Sequence, residues 1–329
     1  MEEVAKLLRP VTEEDRASLL TVSYSKLSLF EHCAFRYKLK YVDKFYSESK
    51  TLALEIGSIL HKGLELKGIK KMEDSEVDYD EIINTVYQGS TDLTDKDKET
   101  LPGIDDIRKR YVEEWNQKEE TSGMNYTDKM DVYVHDVLPT RMEDGLWKTI
   151  GVEQNFEFVY NNKCIVHGFI DRIDQNSEGD LKVVDYKSSK KVFRDTEIKT
   201  PLQMVIYDLA CVFIYGVLPK YHEYDFILLN QKQTTEDGVC TKGYLKRGIK
   251  KIDKLLDQIK LFEKTGIYKP SPTPLCYWCD YPDISHTPNA NKQYAGLCPY
   301  YSLWTPDNKT FKKNREWIPG EESKRRLVF

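Results

Sequence analysis

Gly168-Phe-Ile-Asp-Arg-Ile-Asp174 and Asp180-Leu-Lys-Val-Val-Asp-Tyr-Lys187 alternate like strands on either side of Gln175-Asn-Ser-Glu-Gly179, a run of turn-forming residues. Period-two alternation flanking such a turn predicts an antiparallel hairpin. A hairpin centred near residue 178 sets Asp171 opposite Asp185. Carboxylates facing each other across strands repel and destabilise a sheet, so this pairing makes sense with a cation between them. Lys187 lies two residues past Asp185 and points to the same face. Val183 and Val184 just before the pair argue for a buried strand rather than a solvated one.

Elements on both sides of the hairpin complete a mixed α/β pattern. Residues 1–23 read as a charged lead-in. Residues 24–43 predict one helix with Leu27, Phe30, Ala34, Tyr37 and Tyr41 on its apolar face, and residues 52–68 a second, carrying Leu60 and Leu64. An acidic, polar stretch over 73–130 reads as a helical insertion, with helical patches near 79–88 and 104–119. Strands are predicted over 150–160, 163–174, 181–188 and 224–230. Thr200-Pro201 predicts a helix start, Thr as N-cap and Pro at the first helical position, with a stop at Gly216. Residues 243–265 predict a lysine-rich amphipathic helix, and 266–329 an irregular tail dense in Pro, Cys and aromatic residues. The expected organisation is one domain over 24–329.

The chain's 329 residues suffice for a large core. The N-terminus lacks the apolar core of a signal peptide and no apolar run is long enough to span a bilayer, so a cytoplasmic protein with no membrane partner is expected. A net charge of −5 argues against a general nucleic-acid coat but leaves room for a local basic groove. Seven cysteines in such a setting point to metal binding or burial rather than disulfides. Cys164 and Cys211 lie in apolar runs and read as buried hydrophobes.

Asp171 and Asp185 are hard oxygen ligands suited to Mg²⁺ or Mn²⁺. A metal there would polarise a phosphate and activate water, with Lys187 stabilising the charge that develops. Gly57-Ser-Ile-Leu-His61 places a histidine on one helix face, and Gln203-Met-Val-Ile-Tyr207 two polar groups on another. Taken in order, Gly57-x-x-x-His61, Gly168-x-x-Asp171, Asp185-Tyr-Lys187 and Gln203-x-x-x-Tyr207 resemble the RecB-type nuclease branch of the PD-(D/E)xK superfamily. The resemblance runs through about residues 24–300 and implies a restriction-endonuclease-like fold, a mixed central sheet flanked by helices. It implies that His61, Asp171 and Asp185 hold the metal, that Lys187 is catalytic, and that Gln203 and Tyr207 support the site or contact DNA; the Tyr186 carbonyl is a further candidate ligand. A histidine ligand suits Mn²⁺ rather better than Mg²⁺. Glu153 and Glu157 are further acids, for which surface positions on an edge strand are the better reading.

Cys276-Tyr-Trp-Cys279 is a close pair, and Cys298-Pro follows 19 residues on. The layout of Cys33 upstream with Cys276, Cys279 and Cys298 downstream resembles the iron–sulfur members of the same branch, the AddB-like and CRISPR-associated exonucleases. The resemblance implies a 4Fe-4S cluster acting as a structural staple. The competing site is zinc, held by Cys276, Cys279, Cys298 and either Cys33 or His286.

Basic residues cluster at Lys187-Ser-Ser-Lys-Lys191, Lys246–Lys251 and Lys309–Arg315. Lys190 and Lys191 are the candidates for DNA contact, because they directly follow Lys187. The expected function is metal-dependent cleavage of DNA, exonucleolytic on ends or single strands, in recombination, repair or replication. No Gly-x-x-x-x-Gly-Lys-Ser/Thr occurs, so a motor would come from a separate helicase, or the chain would work beside a single-strand-binding or recombination protein. The alternatives are a non-catalytic DNA-end or single-strand-binding subunit and a zinc-stabilised nucleic-acid adaptor.

Overall fold

A computed structural model describes residues 2–46, 52–79, 82, 132–143, 145–189, 191–193, 201–235, 242–282 and 293–300. Most of the predicted insertion, Lys190, Thr200, Cys240, His286 and the Lys309–Arg315 cluster fall outside the described residues. The chain forms two compact units, one from residues 1–21 and 50–249, the other from 22–49 and 250–329. No helix among the described residues is long and apolar enough to cross a membrane.

The first unit is built on a mixed sheet. Leu8–Arg9 (β1), Trp147–Tyr160 (β3), Cys164–Asn176 (β4), Leu181–Lys187 (β5), Tyr221–Phe226 (β6) and Gln231–Thr234 (β7) lie side by side in that order, and Leu20–Val22 (β2) pairs with β4 off this path. All the pairs along that path are antiparallel except β5 with β6. Asn161 and Asn162, both with positive φ, turn β3 into β4, as Asn tolerates the left-handed region that tight hairpins need. Gly179, at φ +85, closes the β4–β5 hairpin. Strand β6 begins at Tyr221 and stops at Phe226, where a 3-10 turn over Ile227–Leu229 replaces the end of the predicted strand. Asn230 at φ +50 ends that turn and starts β7.

Six of the seven β5 residues are buried, as in a strand covered on both faces. One face, Val184 and Tyr186, packs in an apolar cluster with Leu60 and Leu64 of the helix Leu52–Met72, Tyr133, Val137 and Ile227. Short helices at Glu2–Ala5, Glu13–Ser18, Tyr24–His32 and Ala34–Tyr37 precede that one, so it is α5. The next, α6, runs over Leu202–Tyr215 and packs on β3 and β1. Pro201 occupies the N-cap position itself rather than the first turn, and Gly216 ends the helix at φ +70, the left-handed conformation a C-cap favours.

In the second unit the predicted 24–43 helix is broken. Tyr24–His32 (α3) is capped by Ser23, whose side chain accepts from the Lys26 amide. Cys33 is extended (φ −159, ψ 105), and its sulfur accepts from the Arg36 amide as the N-cap of Ala34–Tyr37 (α4). A π-helical turn over Lys38–Val42 follows. Periodicity alone could not show the break, because the apolar face continues across it. Aromatic rings fill this unit: Phe30 packs edge-on to Tyr37 and against Phe262, Tyr37 stacks on Tyr268, and Phe35 meets Tyr300 edge-on. Such contacts add about 0.5–1.5 kcal/mol each beyond their buried area. Phe262 comes from the last helix, Lys242–Thr265 (α7).

Candidate functional site

The β4–β5 register brings the predicted acids together. Arg172 pairs with Val184 and Ile173 with Val183, so the next rung sets Asp171 opposite Asp185. The strand ladder ends at Arg172. In place of a further backbone bond, the Tyr186 amide donates to Asp171 Oδ2 at 2.7 Å, and the carboxylate stands between the strands.

A polar chain runs from there to α6. Lys187 Nζ lies 2.5 Å from Asp185 Oδ2 and donates to Gln203 Oε1 at 3.0 Å. Gln203 Nε2 in turn donates to Asp185 Oδ1 and to the Tyr207 hydroxyl, both at 2.8 Å. Gln203 therefore orients the acid and the lysine at once. Tyr207 sits one helical turn on, where its hydroxyl can reach the same amide.

α5 supplies the other side. His61 Nδ1 lies 3.7 Å from Asp171 Oδ2 and 4.0 Å from Glu153 Oε1. The Tyr186 ring meets the His61 ring edge-on, and buried Arg172 donates to the Tyr186 hydroxyl at 2.9 Å. Gly57 lies one turn before His61, where a Cβ would stand 3.1 Å from Ser188 Oγ, so glycine lets the helix approach the end of β5.

His61, Glu153 and Asp171 each offer an atom within 4.8 Å of the others, a grouping that can hold a metal ion. The sequence predicts a surface position for Glu153, but the structure half-buries it beside His61 and Asp171. Two features explain this. Val152 pairs with Arg172 and Gln154 with Ile170, which sets Glu153 opposite Asp171. Its backbone is also left-handed, at φ +41, a conformation that costs a non-glycine residue about 1–3 kcal/mol and collects at functional sites. Hairpin arithmetic about the Asn161–Asn162 turn is the signal that points to it. Glu157 is half-buried to the same degree as Glu153, and it pairs with Arg16 at 2.5 and 2.8 Å rather than with the site.

The electrostatics of this group are those of anions short of a cation. Burial, then the Asp185 charge, pushes the Asp171 carboxyl well above its usual range. Burial raises Asp185 against the pull of Lys187. Burial, then Glu65, raises Glu153. Burial and the Lys187 charge bring His61 down to about 4, which leaves it neutral with a lone pair for a metal. Asp185 Oδ2, despite its ion pair, accepts no well-aligned hydrogen bond among the described residues. These donors fit a divalent ion. Lys191 is exposed, its amide donating to Ser189 Oγ at 3.2 Å.

In the second unit, Cys33, Cys276, Cys279 and Cys298 all line one cavity of about 430 Å³. Two of the sulfurs accept from backbone amides, Cys33 from Arg36 at 3.4 Å and Cys276 from Thr273 at 3.3 Å. The 18 residues between Cys279 and Cys298 are closed off at their base, where the Cys298 amide donates to the Tyr281 carbonyl at 2.9 Å. Tyr281 is itself tied to the Phe45 carbonyl at 2.7 Å. Burial pushes the Cys279 thiol up to about 11 and raises Cys276 and Cys298 as well. Four cysteine sulfurs round one cavity, two of them accepting from backbone amides, fit a group that takes thiolates.

Comparison with known proteins gives one family model and several short matches. The model for the PD-(D/E)XK nuclease superfamily matches residues 21–284. A 46-residue stretch is 56% identical to part of an ATP-dependent helicase/deoxyribonuclease protein from Streptococcus pyogenes serotype M6 and to its counterpart from serotype M18, and 54% identical to that from serotype M12. The match covers 14% of this chain and 4% of each of those relatives.

Proposed function

The chain belongs to the PD-(D/E)XK nuclease superfamily, and from that premise we propose that it is a Mg²⁺- or Mn²⁺-dependent deoxyribonuclease acting as an exonuclease on DNA ends or single strands. The observation that carries this reading is the geometry: Asp171 and Glu153 stand beside His61, and Asp171 and Asp185 lie on facing rungs with Lys187 against Asp185, with burial raising all three acids. Such a site is unfavourable empty and favourable around a divalent cation.

In this reading His61, Glu153, Asp171, Asp185 and the Tyr186 carbonyl hold the metal. When bound, the metal supplies Lewis acidity towards the scissile phosphate and lowers the pKa of water. Lys187 positions the attacking water or stabilises the charge that develops on the phosphate. Gln203 keeps the lysine amine at the Asp185 carboxylate, and Tyr207 keeps Gln203 in place. Lys190 and Lys191, just past β5, meet the DNA backbone. The short similarity to a helicase/deoxyribonuclease protein supports work in recombination or repair beside a separate motor. Mn²⁺-dependent degradation of linear but not circular single-stranded DNA is expected, lost in Lys187→Ala and Asp185→Ala. Equal degradation of both forms refutes end-dependent action, and unchanged activity in both variants refutes the site.

The cysteines, in the same reading, hold a structural 4Fe-4S cluster. The layout of Cys33 upstream with Cys276, Cys279 and Cys298-Pro downstream, four cysteines lining one cavity, favours the cluster over zinc. Brown protein with iron and acid-labile sulfide is expected; colourless protein with one zinc refutes it.

A further inference from the structure

Among the described residues, Arg36 is the one arginine or lysine in the walls of the four-cysteine cavity. It lies three residues after Cys33, and its amide already donates to that sulfur at 3.4 Å. Asp280, the residue after Cys279, holds one end of the guanidinium, with Nη2 at 3.6 Å from Oδ2. The Nε–H is buried and meets no acceptor among the described residues. A buried donor left without a partner costs about 1–3 kcal/mol. The positive charge also acts on the thiols, opposing the rise that burial causes at Cys279 and at Cys276. An orphaned donor, a charge and four sulfurs thus meet in one cavity.

We propose that Arg36 is the charge-compensating residue of the iron–sulfur group, its Nε–H donating to a cluster or cysteine sulfur and its charge setting the reduction potential. This rests on the cluster reading given above. A 4Fe-4S group on four thiolates carries net negative charge, and a one-electron reduction by an external reductant adds one more. A neighbouring cation stabilises the reduced form more than the oxidised one, and hydrogen bonds to sulfur act in the same direction. Arg36 therefore holds the potential up, and Asp280 keeps the guanidinium in place. The amide donors at Cys33 and Cys276 alone would leave this charge uncompensated.

The test is potentiometric titration of the full chain, followed by the cluster's absorbance or electron paramagnetic resonance, with iron and sulfide content measured alongside. Arg36→Gln is expected to shift the reduction equilibrium at least tenfold towards the oxidised form, a drop in midpoint of about 59 mV for one electron. Arg36→Lys, which keeps the charge without the Nε donor, should fall between. Wild-type protein without iron and sulfide overturns the cluster reading and this proposal with it. A loaded wild type and an Arg36→Gln variant with equal midpoints overturn the proposal alone. Where Arg36→Gln fails to retain iron, Arg36→Lys must retain it; iron loss from both variants overturns the proposal.

Discussion

The carboxylate–lysine site and the four-cysteine site are assembled in opposite ways. The first comes from adjacent rungs of β4 and β5 and single turns of α5 and α6, and its polar groups already hold one another: Lys187, Asp185, Gln203 and Tyr207 form a closed chain of contacts. The second draws Cys33 from a helix break, Cys276 and Cys279 from a 3-10 turn and its end, and Cys298 from a loop. There two of the sulfurs meet backbone amides, and ring packing supplies the frame. The difference teaches that the first site rests on sheet register and single helix turns, whereas the second rests on a helix break and loops, so that in the proposed reading its fold depends more on its ligand.

The largest test of that contrast is Cys276→Ser. A structural thiolate site contributes on the order of 10 kcal/mol of binding free energy to folding, so hydrogen exchange should show α3, α4 and residues 266–282 losing protection while β3 to β6 keep theirs. Full protection of α3 in the variant would break the comparison, since the cysteine unit would then stand without its ligand. The converse is Lys187→Ala and Asp185→Asn. DNA hydrolysis should fall about 10³-fold, the scale of removing one preorganised electrostatic group, while thermal stability holds or rises because Asp185 is a desolvated acid. A collapse of the fold in Asp185→Asn would mean that the polar chain supports the sheet rather than resting on it.

Much of the first site was legible because it is local. The Gln175–Gly179 turn fixed a register within one hairpin, and alternation then put Asp171, Asp185 and Lys187 together. The helix stop at Gly216 was legible for the same reason. What escaped is of two kinds: the extended Cys33 that splits α3 from α4, a backbone conformation that no pattern announces, and Glu153, whose place opposite Asp171 follows from the β3–β4 register but whose left-handed backbone does not. The closure of the stretch between Cys279 and Cys298 rests on two backbone hydrogen bonds, from the Cys298 amide to the Tyr281 carbonyl and from the Gly296 amide to the Pro282 carbonyl, and spacing cannot reveal them.

Gln203→Ala sharpens the comparison at a smaller scale. Removing a residue that orients ligands without being one costs about 10–100-fold in activity or metal affinity. The loss should appear in kcat more than in KM if Gln203 acts through Lys187 and Asp185, and in KM if it mainly grips DNA. Gln203→Glu, which can still accept from Lys187 but cannot donate to Asp185, separates the two halves of its role.

Glu153 gives the finest distinction, because the same residue carries both ligand atoms and backbone strain. If the φ of +41 is maintained for the site, Glu153→Gly relieves it. The strain of about 1–3 kcal/mol outweighs the roughly 0.5–1 kcal/mol that glycine costs in a strand, so the variant should be more stable by about 1 kcal/mol in denaturant unfolding. Calorimetric titration of the same variant should show Mn²⁺ bound about tenfold more weakly, with Glu157→Gln as an unaffected control, since that side chain is engaged with Arg16. Stability gained together with metal affinity lost would mark Glu153 as part of a site the sheet strains to present. A loss of both would assign the residue to the fold and remove it from the metal group.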